Sequence, residues 1–176
     1  MNRQNSKIKD PTFLRGFTLL EVLIATVLVG LSLAALLGAN GSFSMANTAG
    51  ADLSTAEFLA EQIRELTTML PAAEPETTTW TTLGRETGET TLADCDDVDD
   101  FDGFDSATIG APISAQGTPL TDLAAFRQEV LVQKVNPSNF NETWADDAAS
   151  NFVRVTVNIL EGGRQISSAR WIRARY

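Results

Sequence analysis

Residues 15–24 of the chain are Arg15-Gly16-Phe17-Thr18-Leu19-Leu20-Glu21-Val22-Leu23-Ile24, and they open an almost wholly apolar run that continues to Ala39. No residue between Val22 and Ala51 is charged. A helix of roughly 20 apolar residues is long enough to cross the hydrocarbon core of a bilayer. The sequence therefore predicts one membrane-spanning helix near the N-terminus.

The basic residues of the N-terminal region lie on one side of this apolar run. Lys7, Lys9 and Arg15 precede it, and the next basic residue is Arg64. Because lysine and arginine are enriched on the cytoplasmic side of membrane helices, the N-terminus is predicted to be cytoplasmic. The part of the chain beyond the helix is predicted to lie outside the cytoplasm.

The chain beyond its basic leader is strongly acidic. Four of the 13 basic residues but only one of the 23 acidic residues precede Phe17, so the rest of the chain has a net charge of −13. Such a surface repels phosphates, and we expect no nucleic-acid partner. With no histidine and one cysteine, Cys95, the chain has no histidine-based triad, internal disulfide or His/Cys zinc site. Cys95 is either a packing residue or a free thiol that pairs between chains.

Glu21 is the unexpected residue at the start of the apolar run. A carboxylate within a bilayer costs on the order of 3 kcal/mol unless it is paired or stays near the interface. A secretory signal with a cleavage site at Ala34-Ala35 or Ala39 would account for the apolar run, but it gives Glu21 no role. Glu21 is therefore either a carboxylate that pairs with a cation or one that reaches the membrane interface.

The stretch from Arg15 to Ile24 resembles the processing site of type IV pilins and type II secretion pseudopilins. The features in common are a basic leader that ends in glycine, a phenylalanine, three further residues, a glutamate and an apolar helix. The resemblance implies that prepilin peptidase cuts between Gly16 and Phe17 and methylates the new amine of Phe17. It also implies that Glu21 is the assembly residue, since its carboxylate would meet the amine of a neighbouring subunit. That pairing would offset the cost of burying both charges.

The same resemblance implies the partners and the location of the chain. The implied partners are prepilin peptidase, other pilin or pseudopilin subunits, the assembly platform of the inner membrane, and membrane lipid. The chain would be a single-pass protein of the cell inner membrane with a periplasmic head, and it would become part of a filament when assembled. It would be a structural subunit and not an enzyme.

Beyond the membrane segment the sequence predicts that the helix continues with one apolar face. Apolar residues recur at spacings of three and four: Ala56, Leu59, Ile63, Leu66 and Leu70. Pro71 disfavours helix at the residue before it, so the helix should end near Leu70. We expect a sheet to cover the apolar face.

Three strands of such a sheet are predicted near the C-terminus. Alternating apolar residues at 153, 155, 157 and 159 indicate a strand with one buried face. Gly162-Gly163 favours a tight hairpin, so Gln165 to Arg173 should return antiparallel, and Phe126 to Val135 is also extended in character. The sequence thus predicts an α+β, pilin-like fold, in which a long N-terminal helix packs on an antiparallel sheet of three to four strands.

This interpretation divides the chain into four regions. They are a basic leader (1–16), the N-terminal helix (17–71, transmembrane to about residue 40 and amphipathic beyond), a variable acidic loop region (72–119), and the sheet of the head (120–176). Asn141-Glu142-Thr143 matches a glycosylation sequon and is expected to lie in a loop.

The loop region contains seven aspartates within residues 94–105. Such a density of carboxylates could hold calcium, with Asp97, Asp99, Asp100 and Asp102 as the possible ligands. The register of an EF-hand fails, because alignment on Gly103 places Val98 and Ile109 at the first and last ligand positions. A solvated acidic loop whose aspartates cap turns is the preferred interpretation, and no other cofactor is expected. Residues 97–104 also resemble a motif of minor pilins of the mannose-sensitive haemagglutinin type.

The leading functional hypothesis is a minor pilin or pseudopilin in a filament used for secretion, adhesion or motility. A pseudopilin of a type II secretion system is the nearest alternative, because the N-terminal motif is common to both. The remote alternatives are a membrane-anchored hydrolase that uses carboxylates of the acidic loop, such as Asp99 and Asp102, and a calcium-binding module.

Overall fold

The computed structural model of the chain describes residues 16–74 and 80–175. The predicted leader, apart from Gly16, lies outside the described residues. The chain divides into two compact units, residues 1–47 and residues 48–176, and each is described by itself.

The first unit consists, in its described part, of the beginning of helix α1 (Leu19–Thr68) and the residues before it. Every side chain from Gly16 to Ala51 is exposed. Leu19 is 91% exposed and Leu37 is 72% exposed, so no described residue covers the apolar surface. The helix is long and apolar enough to cross a membrane, as the sequence predicts.

The second unit begins with the amphipathic end of α1. Its buried residues are Ala56, Leu59, Ala60, Ile63 and Thr67, which confirms the predicted apolar face. The helix ends at Thr68, close to the predicted end. The guanidinium of Arg173 donates to the backbone carbonyls of Thr68 (3.2 Å) and Leu70 (2.5 Å), so it satisfies acceptors that the end of a helix leaves free.

A four-stranded antiparallel sheet follows, with strand order β2-β1-β3-β4. The strands are β1 (Phe126–Asn136), β2 (Asn139–Thr143), β3 (Phe152–Glu161) and β4 (Arg164–Ala174). Val130 lies opposite Val157 and Val132 lies opposite Val155. These four valines are at most 3% exposed, and they form the core with the buried face of α1. The α+β, pilin-like fold is confirmed.

Two features of the sheet bear on the sequence predictions. Gly162 and Gly163 have φ angles of 56° and 80°, the left-handed values that a two-residue hairpin requires, and the predicted hairpin is confirmed. The prediction that Asn141-Glu142-Thr143 lies in a loop is wrong, because these residues belong to β2. All five residues of β2 are exposed, so this edge strand has no buried face and no alternating pattern to reveal it.

The segment between α1 and β1 contains three short 3₁₀ turns among its described residues, Asp99–Phe101, Ser106–Thr108 and Thr121–Leu123. It nevertheless contributes to the core, since Val98, Phe101 and Ile113 are at most 1% exposed. Backbone bonds attach it to β1, from Gly103 N to Val130 O (3.1 Å) and from Val130 N to Phe104 O (2.9 Å). The segment is therefore part of the folded head.

Gln128 links three parts of the second unit through one fully buried side chain. Its Oε1 accepts from the amide of Ile113 (2.7 Å), and its Nε2 donates to the carbonyls of Leu59 (2.9 Å) and Ile113 (3.1 Å). These bonds join β1 to α1 and to the connecting segment. A buried amide group that loses its acceptor costs about 1–3 kcal/mol.

We predict that Gln128→Leu destabilises the head by about 1–3 kcal/mol, because it leaves the amide of Ile113 without its acceptor. Urea unfolding of the detergent-solubilised chain, followed by tryptophan fluorescence, measures the change. Gln165→Leu makes the same substitution at an exposed position of β4 and should cost less than about 0.5 kcal/mol. Equal effects of the two substitutions would contradict the assigned role of Gln128.

Candidate functional site

The predicted cleavage site lies at the N-terminal end of α1. Gly16 and Phe17 precede the first helical residue, and both are exposed, Phe17 by 87%. Among the described residues other than its chain neighbours, no atom lies within 4 Å of the position that a β-carbon on Gly16 would occupy. The backbone at the Gly16-Phe17 bond is thus open on the side where glycine has no side chain. This is the access that a protease needs to reach a peptide bond.

Thr18 and Glu21 form a reciprocal set of hydrogen bonds at the start of α1. The amide and hydroxyl of Thr18 donate to Glu21 Oε2 at 2.8 Å and 3.0 Å. The amide of Glu21 donates to Thr18 Oγ1 at 3.2 Å. This is a capping box, which satisfies amide groups that the first turn of a helix leaves without partners. The Thr-x-x-Glu spacing is a sequence signal for it that the sequence analysis missed.

The capping box fixes where the Glu21 carboxylate lies. Oε2 takes part in both bonds with Thr18, whereas Oε1 takes part in neither. The carboxylate is bound to the backbone amide of the residue that directly follows Phe17. An amine created at Phe17 would lie one residue before that backbone amide. The carboxylate can therefore bind the helix start and still present an oxygen to a cation.

The acidic loop differs from its prediction. Asp97, Asp99 and Asp100 are at most 1% exposed, so the predicted solvated loop is wrong for these residues. The prediction that aspartates cap turns is confirmed, since Asp97 Oδ1 accepts from the amides of Asp99 (2.9 Å) and Asp100 (3.2 Å). The apolar neighbours Val98 and Phe101 carry this short turn into the core, and the aspartates are buried with them.

Burial changes the protonation of these carboxylates. It raises the pKa of Asp97 to about 8, and the neighbouring Asp99 adds to the shift. Burial also raises the pKa of Asp99 and raises that of Asp100 to about 6. Each shift reflects the cost of holding a carboxylate anion away from water and near other carboxylates.

The four aspartates that were predicted as possible calcium ligands do not converge on one point. Asp97 and Asp100 lie together. Asp99 Oδ2 accepts from the indole of Trp80 (3.0 Å), and Asp102 Oδ1 accepts from the amide of Val132 (2.8 Å). Asp102 thus attaches the loop to β1. Asp99 and Asp102 thus bind different parts of the chain.

A buried lysine lies beside this region, and the sequence analysis missed it. Lys134 is fully buried in β1 and donates to the carbonyls of Trp80, Asp146 and Ala148. Its ammonium lies 5.2 Å from the centroid of the Trp80 ring, and burial lowers its pKa. Residues 128, 130, 132 and 134 of β1 all face the core, so strand alternation was the signal that could have placed Lys134 inside.

Comparison with known proteins identifies the N-terminal segment. A family model described as the prokaryotic N-terminal methylation motif matches residues 15–37. No curated protein and no solved structure matches the chain. The match confirms the resemblance to type IV pilin-like proteins in this segment, and it indicates a structural subunit. Together with the apolar helix, it is consistent with anchoring in the inner membrane.

We predict that Thr18→Val frays the first turn of α1, because valine has the shape of threonine but lacks the hydroxyl that bonds Glu21. Loss of such a cap costs about 1 kcal/mol, which corresponds to roughly fivefold faster hydrogen exchange at the amide of Glu21. NMR of the chain in detergent micelles measures this rate. Thr26→Val is the control, since its hydroxyl only donates to the carbonyl of Leu23. An unchanged rate at Glu21 in Thr18→Val would contradict the prediction.

Proposed function

We propose that this chain is a minor pilin, a structural subunit of a type IV pilus-like filament. Prepilin peptidase cuts it after Gly16 and methylates Phe17, and the subunit then assembles through its N-terminal helix. The match of residues 15–37 to the methylation motif carries the proposal. The four-stranded head and the long apolar helix support it.

The length of the uncovered apolar surface favours a subunit of a filament over a simple membrane anchor. The uncharged part of α1, residues 22–51, contains 30 residues, and at about 1.5 Å per residue it is roughly 45 Å long. The hydrocarbon core of a bilayer is only about 30 Å thick. Phe43 and Met45 are 70% and 76% exposed and lie beyond the first 20 residues of the helix. Packing against the helices of other subunits would cover this additional apolar surface.

Glu21 supplies the negative charge of an ion pair that would form when the helices pack together. Among helices in lipid, a lone carboxylate is costly, and the new amine of Phe17 in a neighbouring subunit is a cation of matching position along the helix. The pair would offset the burial of both charges. The capping box with Thr18 holds the carboxylate at the helix start before assembly.

The minor pilin is preferred to the type II secretion pseudopilin because residues 97–104 resemble the minor pilin motif. The head would be periplasmic, and the inner-membrane assembly platform would add the subunit to the filament. Neighbouring genes that encode a secretin and other secretion components, and no retraction ATPase, would favour the pseudopilin instead.

We predict that Gly16→Leu blocks processing, because a side chain at the cut would obstruct the protease. Mass spectrometry of the membrane fraction should find the wild-type chain starting at a methylated Phe17 and the variant starting at Met1. Gly38→Leu is the matched control, since the space around Gly38 is equally open, and it should be processed normally. A wild-type chain that starts at Met1 in cells with active prepilin peptidase, or near Ala39, would refute the proposal.

We predict that Glu21→Gln is inserted in the membrane but enters filaments at least roughly tenfold less than wild type, because it removes the charge that pairs with the amine. Quantitative immunoblotting of sheared filaments against the membrane fraction measures this ratio. Glutamine keeps an oxygen that can accept from Thr18, whereas Thr18→Val keeps the charge and loses the hydroxyl bond. Thr18→Val should therefore assemble better than Glu21→Gln. The reverse order would show that Glu21 acts through the cap alone.

A further inference from the structure

The turn at residues 96–100 and the segment around Glu86 bring buried and exposed carboxylates together in the head. Glu86, Asp97 and Asp100 each offer an oxygen, and these three oxygens lie within 4.8 Å of one another. Glu89, Asp96 and Asp100 form a second group at the same spacing. The two groups have Asp100 in common, so they form one continuous set of carboxylates.

Two oxygens in this set are buried and unsatisfied. Asp97 Oδ1 and Asp100 Oδ2 accept backbone amides of the turn, but the other oxygens, Asp97 Oδ2 and Asp100 Oδ1, receive no hydrogen bond from any described residue. Both side chains are at most 1% exposed. Buried polar atoms are rarely left without partners, and for a carboxylate the cost is especially high. Asp99 Oδ1 is a third buried oxygen without such a bond. Protons or a bound cation can satisfy these oxygens, and a cation between Asp97 and Asp100 would satisfy one oxygen of each residue.

The cationic side chains in this part of the head also contact other groups. Arg85 lines the same cavity as Asp100, and its charge acts on Asp94 and Cys95. The ion pairs of Arg64 with Glu61, and of Arg127 with Asp105 and Glu129, do not involve Glu86, Asp97 or Asp100. The ammonium of the buried Lys134 is bound to the backbone carbonyls of Trp80, Asp146 and Ala148.

We propose that Glu86, Asp97 and Asp100 bind a calcium ion in the head. Calcium takes six to eight oxygen ligands at about 2.3–2.6 Å, so two ligands on opposite sides of the ion are separated by about twice that distance. Three carboxylate oxygens within 4.8 Å of one another fit around one such ion. Asp96 and Glu89 lie at its edge, and backbone carbonyls or water complete the shell.

This site differs from the one that the aspartate pattern alone predicted. Asp99 and Asp102 are replaced as ligands by Glu86, which lies ten residues or more before the other ligands in the sequence. Calcium would thus join the segment around Glu86 to the buried turn. The turn is itself attached to the residues that follow α1 by the bond from Val98 N to Pro71 O (3.0 Å). The ion would hold the irregular segment on the sheet.

Thermal unfolding of the full chain in detergent, stripped with EDTA and then titrated with calcium chloride, tests the proposal. A ligand that binds only the folded state raises Tm as its concentration passes the dissociation constant. At a hundred times that constant, we expect a rise of roughly 10 °C. Glu86→Gln changes an exposed residue that tolerates substitution, and it should abolish most of the rise.

Asp97→Asn gives a second test, in which Tm in EDTA and the response of Tm to calcium change differently. The substitution keeps Oδ1 as an acceptor for the turn and replaces a carboxyl group whose ionisation burial disfavours, so in EDTA the variant should unfold at or above the wild-type temperature. Added calcium should then leave its Tm unchanged. A residue with only a structural role would lower Tm in EDTA and leave the calcium response intact.

Matched controls are Glu57→Gln on α1 and Asp122→Asn before β1, which remove the same charge at exposed positions away from the cluster. Both should respond to calcium as the wild type does. The proposal is overturned by a wild-type Tm that calcium does not move, by an undiminished response in Glu86→Gln and Asp97→Asn, or by a full response to magnesium with none to calcium. Processing at Gly16 has no part in these outcomes, so they are independent of the proposed function.

Discussion

The uncovered apolar surface of α1 is the constraint on which the rest of the molecule depends. From Gly16 to Ala51 every side chain is exposed, and an apolar surface of this length is stable only in lipid or against other apolar helices. The chain alone does not complete this part of its own fold. In the proposed function, lipid would cover the helix before assembly, and helices of other subunits would cover it afterwards. The Glu21 carboxylate, bound to Thr18 at the start of the same helix, lies where that proposed change of surroundings would occur.

In the head, an irregular segment of about 50 residues is held on a small sheet. Valines of β1 and β3 and the apolar face of α1 form the core together with apolar residues of the segment, such as Val98 and Phe101. Polar groups also bind the segment to the sheet. Gln128 binds the backbone at Ile113, Asp102 binds the backbone at Val132, and Lys134 binds the carbonyl of Trp80. Because each partner is a backbone group, the segment is fixed in place without a regular secondary structure of its own.

The sequence predicted those parts of the fold that follow a local sequence pattern. The alternation at 153–159 identified β3, the spacing of Leu59 and Ile63 identified the buried face of α1, and Gly162-Gly163 identified the hairpin. It did not predict β2, whose residues are all exposed, or the burial of Asp97 and Asp100. Whether an aspartate is buried depends on contacts made by distant residues, and no local pattern records them. The methylation motif was predictable in full because its residues are consecutive.

The buried carboxylates also connect the head to the side of the membrane on which it is proposed to lie. Calcium sites of extracellular modules need dissociation constants of only about 10⁻⁴–10⁻³ M, whereas cytosolic sites bind far more tightly. A site of three carboxylates completed by water and backbone oxygens would suit the weaker range. In a cytoplasm poor in calcium the turn around Asp97 would keep unsatisfied oxygens, and the segment would be less stable there. Binding outside the cytoplasm would then complete the head only after it has crossed the membrane, so that the folding of the irregular segment follows translocation.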